Sequence, residues 1–245
     1  AISRQLKSTL LVIKTRRKII GLFFSSILIS INWITYIWAV NNGHVVEAAL
    51  GYYINPLIII AFGVILLREK MRKMQWVAVG IAAVGVLVLT LDYGRLPWVA
   101  ISLALSWGTY GLIKKKLDLG ALEGLAIETL LSMLPYAFYL IYLHREGTGQ
   151  FGQTPLLTIL LISAGAVTAI PLLLFNGSTT RLPYSTIGLL QYITPTITFS
   201  IGVWVRNEDM TRARWAGFFI IWVALFALGS DLVRSSRAID NRIAQ

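Results

Sequence analysis

Two carboxylates stand in apolar stretches where a carboxylate is costly. Glu128 lies about two turns into the apolar run 122–143, and Glu47 within about a turn of the start of the run 45–67. A carboxylate at the centre of a membrane span costs about 2.5–3.5 kcal/mol on insertion scales, so it faces a cavity or a partner. Glu128 is therefore the first candidate for a proton or other coupling-ion site. Glu47 is a second, shallower candidate nearer the interface. The plain alternative for both is a neutral or paired structural glutamate. Four amides sit in comparable positions: Asn32, Asn55, Asn176 and Gln191. Each is a candidate for contact with a polar solute, or for an interhelical hydrogen bond worth about 0.6–2 kcal/mol in lipid. Pro56 and Pro195 each remove a backbone hydrogen bond inside an apolar run, leaving a kink, a hinge or a bared carbonyl. Among the aromatics, Trp33, Tyr53, Trp107 and Tyr192 lie deepest and are candidates to line an apolar cavity. Those nearer the ends of apolar runs, such as Trp38 and Tyr110, suit the interface belt.

These residues are positioned by long apolar segments. The chain is 56% hydrophobic and 13% charged, where soluble domains carry about 25% charged residues. Eight runs, 19–41, 45–67, 74–91, 95–113, 122–143, 156–176, 184–205 and 214–233, approach the ~20 residues that a bilayer core requires. They are continuously apolar, which predicts helices and not barrel strands. The net charge of +11 sits in clusters between runs, so it marks topology and not a nucleic-acid surface. With residues 1–18 inside, the inside segments carry 17 Lys and Arg and the outside segments 5. There is no cysteine, and His44 and His144 both fall in outside loops, so no metal site and no cofactor is expected.

The strongest internal signal is a repeat. Residues 53–76 and 192–215 align without a gap at an offset of 139, with nine identities in 24 positions. Shared residues include Tyr53/Tyr192, Pro56/Pro195, Gly63/Gly202, Glu69/Glu208 and Trp76/Trp215. An odd number of spans separates the copies, which gives them opposite orientation, the plan of many secondary transporters. Glu69 and Glu208 lie among basic residues at helix junctions and read as loop ion pairs or caps for the next helix. Ala100, Ala104 and Gly108 form a small-residue seam for close helix packing. The expected organisation is a basic cytoplasmic segment (1–18), a first repeat (19–94), a complete five-helix second repeat (95–235) and a cytoplasmic tail (236–245). The first repeat aligns with the second only if two leading helices are missing, which predicts a truncated chain with eight of ten helices.

The chain resembles the EamA group of the drug/metabolite transporter superfamily, and within it the RarD proteins. The resemblance rests on Trp38-Ala39-Val40-Asn41-Asn42, Leu50-Gly51-Tyr52-Tyr53-Ile54-Asn55-Pro56-Leu57, Glu69 with Met74-Gln75-Trp76, Ile127-Glu128-Thr129, Thr180-Arg181-Leu182, and Gln191-Tyr192 with Pro195. It implies an all-α integral membrane protein built from two inverted five-helix repeats, in a bacterial inner membrane. It also implies a permease for a drug or metabolite.

The leading expectation is a secondary transporter of a small organic solute, working by alternating access, with protons or another ion coupled through Glu128 or with no coupling ion. A channel-like or passive scaffold is the second class. An intramembrane enzyme is the third, and the chain offers no convergent nucleophile, base or metal ligands to support it.

Overall fold

The computed structural model describes residues 15–94, 96–194, 196–197, 211–213, 215–224 and 226–227. The described residues form helices and no strand. They are α1 (Arg16–Asn41), α2 (Val45–Leu66), α3 (Lys73–Tyr93), α4 (Trp98–Leu117), α5 (Ala121–Arg145), α6 (Pro155–Thr179), α7 (Tyr184–Gln191) and α8 (Trp215–Ala224). The first six apolar runs thus become helices with boundaries within a few residues of those expected from hydropathy, whereas the ends of the runs 184–205 and 214–233 lie outside the described residues. Five of them, α1, α2, α3, α5 and α6, are long and apolar enough to cross a membrane. α4 ends on Lys114, Lys115 and Lys116. Pro195 and Glu208 lie outside the described residues.

The helix ends follow from local chemistry. At the start of α3 the Arg72 N–H donates to Gln75 Oε1 (2.8 Å), satisfying one donor that has no intrahelical partner. At its end Gly94 takes a left-handed conformation (φ 75°), which a side chain would resist. α6 opens with Pro155 after Thr154, whose Oγ1 accepts from the Leu157 N–H (3.2 Å).

The described residues fall into two compact units. One is drawn from Ala1–Ser30 and Tyr110–Leu182, the other from Ile31–Thr109 and Pro183–Gln245. The division does not follow the sequence halves at residue 94, and α1 and α4 each supply both units.

In the first unit, Leu22, Leu119 and Ile127 form an apolar core with Ile19, Leu117 and Leu131 packed on it. Lys115 Nζ donates to the Thr179 (3.1 Å) and Leu182 (2.7 Å) carbonyls, placing a cation where the end of α6 leaves acceptors exposed. α5 and α6 carry many exposed large apolar side chains, among them Phe138, Leu156, Ile162 and Val167. Such surface suits lipid and not water.

In the second unit the most extensive helix pairing is α2 with α7. It is close because glycine stands at the crossing. A Cβ at Gly188 would fall 2.8 Å from the Pro56 carbonyl oxygen, and one at Gly63 2.8 Å from the Ser185 backbone nitrogen. The expected seam on α4 is present: Ala100 and Ala104 are fully buried, and Gly51 of α2 packs directly on the Ala100 backbone. A larger core joins Leu50, Tyr53, Ala82, Val86, Leu89, Tyr192, Phe218 and Ile221, with Tyr53 edge-on to Phe218 at 5.1 Å between ring centroids.

Candidate functional site

The first unit holds a buried polar cluster built from four helices. Glu128 of α5 is 3% exposed. Its Oε1 accepts from Lys114 Nζ of α4 at 3.1 Å and from Ser25 Oγ of α1. The Tyr110 hydroxyl of α4 lies 3.4 Å from Glu128 Oε2 and 3.1 Å from Oδ1 of Asn176 on α6. A phenol has one proton, and the shorter contact makes Asn176 its better acceptor. Lys114 also lies over the Tyr110 ring, 5.8 Å from its centroid, and Tyr110 stacks on Phe175. The Asn176 Nδ2 donor has no hydrogen-bond partner among the described residues.

The sequence placed Glu128 and Asn176 in separate categories, ion site and cavity amide; the fold brings both to one cluster. It also adds Lys114, Ser25 and Tyr110, which sequence reasoning did not select as site residues. Lys114 belonged to a lysine run read only as a topology signal, yet it is 5% exposed while Lys116 points outward. Its position one turn beyond Tyr110 on the same helix face was the available clue. Tyr110, assigned to an interface belt, is fully buried.

The second unit places the remaining candidates. Asn55 Nδ2 donates to Gln191 Oε1 at 2.6 Å, joining α2 to the end of α7. Asn55 Oδ1 and the Tyr192 hydroxyl are buried without a hydrogen-bond partner among the described residues. Tyr53 and Tyr192 share the large apolar core, and Pro56 is buried between Asn55 and the Gly188 crossing. Asn32 Nδ2 donates to the Leu103 carbonyl and to Ser106 Oγ, both at 2.9 Å. Trp107 follows Ser106 on α4 and is half-buried, whereas Trp33 is 39% exposed.

Two carboxylates of this unit bind backbone. Glu47, expected near the interface, is 1% exposed; its Oε1 accepts the Val99 N–H at the start of α4 (2.7 Å), and its Oε2 lies 3.2 Å from His44 Nδ1. Glu69 accepts from the Tyr184 N–H (2.6 Å), the Ser185 N–H (2.8 Å) and the Ser185 hydroxyl (2.7 Å). It is a helix cap, as expected, but for α7 and not for the next helix, α3. A carboxylate here satisfies two donors that α7 leaves open and complements the positive end of the helix. The described residues contain no group of three or more metal-ligating side chains.

The EamA-like transporter family matches residues 4–91 and 97–230. Protein RarD of Streptomyces exfoliatus is 48% identical over 216 residues, covering 88% of this chain and 69% of that protein. The uncharacterized transporter YojE of Bacillus subtilis (strain 168) is 46% identical over 228 residues, 92% of this chain and 76% of that one. One crystal structure superposes with a TM-score of 0.53 at 14% identity, over 92% of this chain and 95% of the other, a likeness of fold alone. These matches extend across most of the sequence, including both polar regions, and the chain belongs to the EamA-like transporter family as a RarD-like, multi-pass membrane permease.

Proposed function

We propose that the protein is a secondary transporter that moves a small organic solute, a drug or metabolite, across the bacterial inner membrane by alternating access. In this reading the N-terminal segment and C-terminus are cytoplasmic and the halves are inverted repeats. Pro56 and Pro195 act as a pair of hinges. Asn32, Trp33, Tyr53, Asn55, Trp107, Asn176, Gln191 and Tyr192 supply the solute pathway.

The observation that carries the reading is the Lys114–Glu128 pair, buried among apolar helices of a family of transporters. Charges there are costly to desolvate, and apolar residues of similar volume would often serve stability as well or better. Their presence points to function, and Glu128 is the proposed coupling site. Glu47 is the weaker candidate, because its carboxylate is engaged by a backbone donor at the start of α4.

The test is reconstitution in vesicles with a panel of labelled solutes, with and without a pH gradient. Gradient-driven flux lost in Glu128→Gln is the expected result. Gradient-driven flux intact in that variant removes Glu128 as the coupling site.

A further inference from the structure

The Lys114 ammonium has more donors than the described residues engage. It offers three donors, and among the described residues Glu128 Oε1 is its one hydrogen-bond acceptor. Asn176 adds an amide nitrogen that is buried, 1% exposed, and without an acceptor among the described residues. Asn176 Oδ1 accepts from the Tyr110 hydroxyl at 3.1 Å, and the Nδ2 side of the amide is the open one. An unmatched buried donor is costly, so a cluster that retains one together with a buried ammonium, the two linked through Tyr110 and Glu128, is built to receive an acceptor. The group that suits an ammonium and an amide N–H together is a carboxylate.

We propose that Lys114 and Asn176 form a binding site for the carboxylate of a small monocarboxylate solute, and that Glu128 occupies Lys114 when the solute is absent. The site is closed in this structure, so solute entry requires the conformational change of the alternating-access reading, on which this proposal rests. When the solute carboxylate takes Lys114, two carboxylates would share one ammonium in an apolar setting. The uncompensated buried charge is relieved if Glu128 takes up one proton. The exchange balances: an ammonium–carboxylate pair, a solute anion and a proton give an ammonium–solute pair and a neutral Glu128, with zero net charge on each side. Among the described residues, the titratable and charged groups facing Glu128 are Lys114 and the Tyr110 hydroxyl, both from α4; α1 contributes Ser25 and α6 contributes Asn176, neither of which titrates. Glu123 lies five residues earlier on α5, about 140° around the helix. Linkage then makes solute and proton bind cooperatively, each tightening the other by the same factor.

The experiment is calorimetric titration of the full chain in detergent with acetate and benzoate, using acetamide and benzamide as neutral counterparts. Buffers of different ionisation enthalpy report the protons taken up. The expected result is saturable binding of at least one carboxylate and of neither amide, with one proton taken up per site. Affinity should fall about tenfold per pH unit while that linkage is complete. Glu128→Gln should bind carboxylate with no proton uptake and no pH dependence. Lys114→Gln should not bind. The double variant Lys114→Met/Glu128→Leu leaves no buried unpaired charge, so it keeps the fold while also losing binding. Absence of carboxylate binding, or binding that survives in the double variant, overturns the proposal. Carboxylate binding in a protein that moves no solute would keep this site and remove the transport reading. Flux of neutral solutes by a protein that binds no carboxylate would do the reverse.

Discussion

Glu128 in the first unit and Glu69 in the second are both carboxylates in helical membrane protein, and they are held in opposite ways. Glu69 accepts two backbone N–H groups and a hydroxyl at the start of α7. Glu47 likewise holds the start of α4. Among the described residues Glu128 is held by side chains alone: Ser25 and Lys114 donate to it, and the Tyr110 hydroxyl lies 3.4 Å away. A backbone donor at a helix start cannot leave without fraying the helix, so carboxylates of the second unit are fixed by secondary structure. Side-chain partners can rotate to other rotamers without breaking a helix. The contrast separates carboxylates that organise the fold from one able to exchange partners.

Unfolding measurements in detergent sharpen the contrast. The largest effect is expected for Glu128→Ala, which strands a buried ammonium and should cost about 3–5 kcal/mol, whereas Lys114→Met/Glu128→Leu should be close to neutral. If the double variant is as unstable as the single one, the pair is a structural brace and the comparison fails. Glu69→Ala removes the acceptor of two backbone donors and should cost about 1–3 kcal/mol, with Glu69→Gln milder because one carbonyl oxygen remains. No loss in Glu69→Ala would show that α7 does not depend on this cap. Gly188→Ala forces a methyl against the Pro56 carbonyl and should cost about 1–3 kcal/mol through the α2–α7 crossing. Smallest is the Asn55–Gln191 hydrogen bond, where a double-mutant cycle should give a coupling near 0.6 kcal/mol.

Much of the fold was legible in the sequence because a membrane segment must be both long and apolar, and hydropathy reports both. The runs 45–67, 74–91 and 122–143 became α2, α3 and α5 with ends shifted by a few residues. The alanine–glycine seam of α4 was legible for a similar reason, since small residues every four positions have one physical use. Glu69 was readable as a cap, but its target was not. The capped donors lie more than a hundred residues away, and no local pattern distinguishes α7 from the adjoining α3. Lys114 was hidden by its neighbours. In a run of three lysines, helix phase decides which one turns inward, and Lys114 shares the Tyr110 face toward Glu128 whereas Lys115 caps α6. Asn176 was a visible amide in an apolar run, while its link to Glu128 depends on which helices pack together.

In the proposed mechanism Glu128 couples solute movement to protons. The most direct measurement is solute flux into vesicles holding the full chain, driven by an imposed pH gradient, for the native protein and Glu128→Gln side by side. Coupling at Glu128 gives gradient-driven accumulation of a solute by the native protein, reduced to the rate of protein-free vesicles or to gradient-independent exchange in Glu128→Gln. Equal gradient-driven accumulation in the two proteins would contradict it.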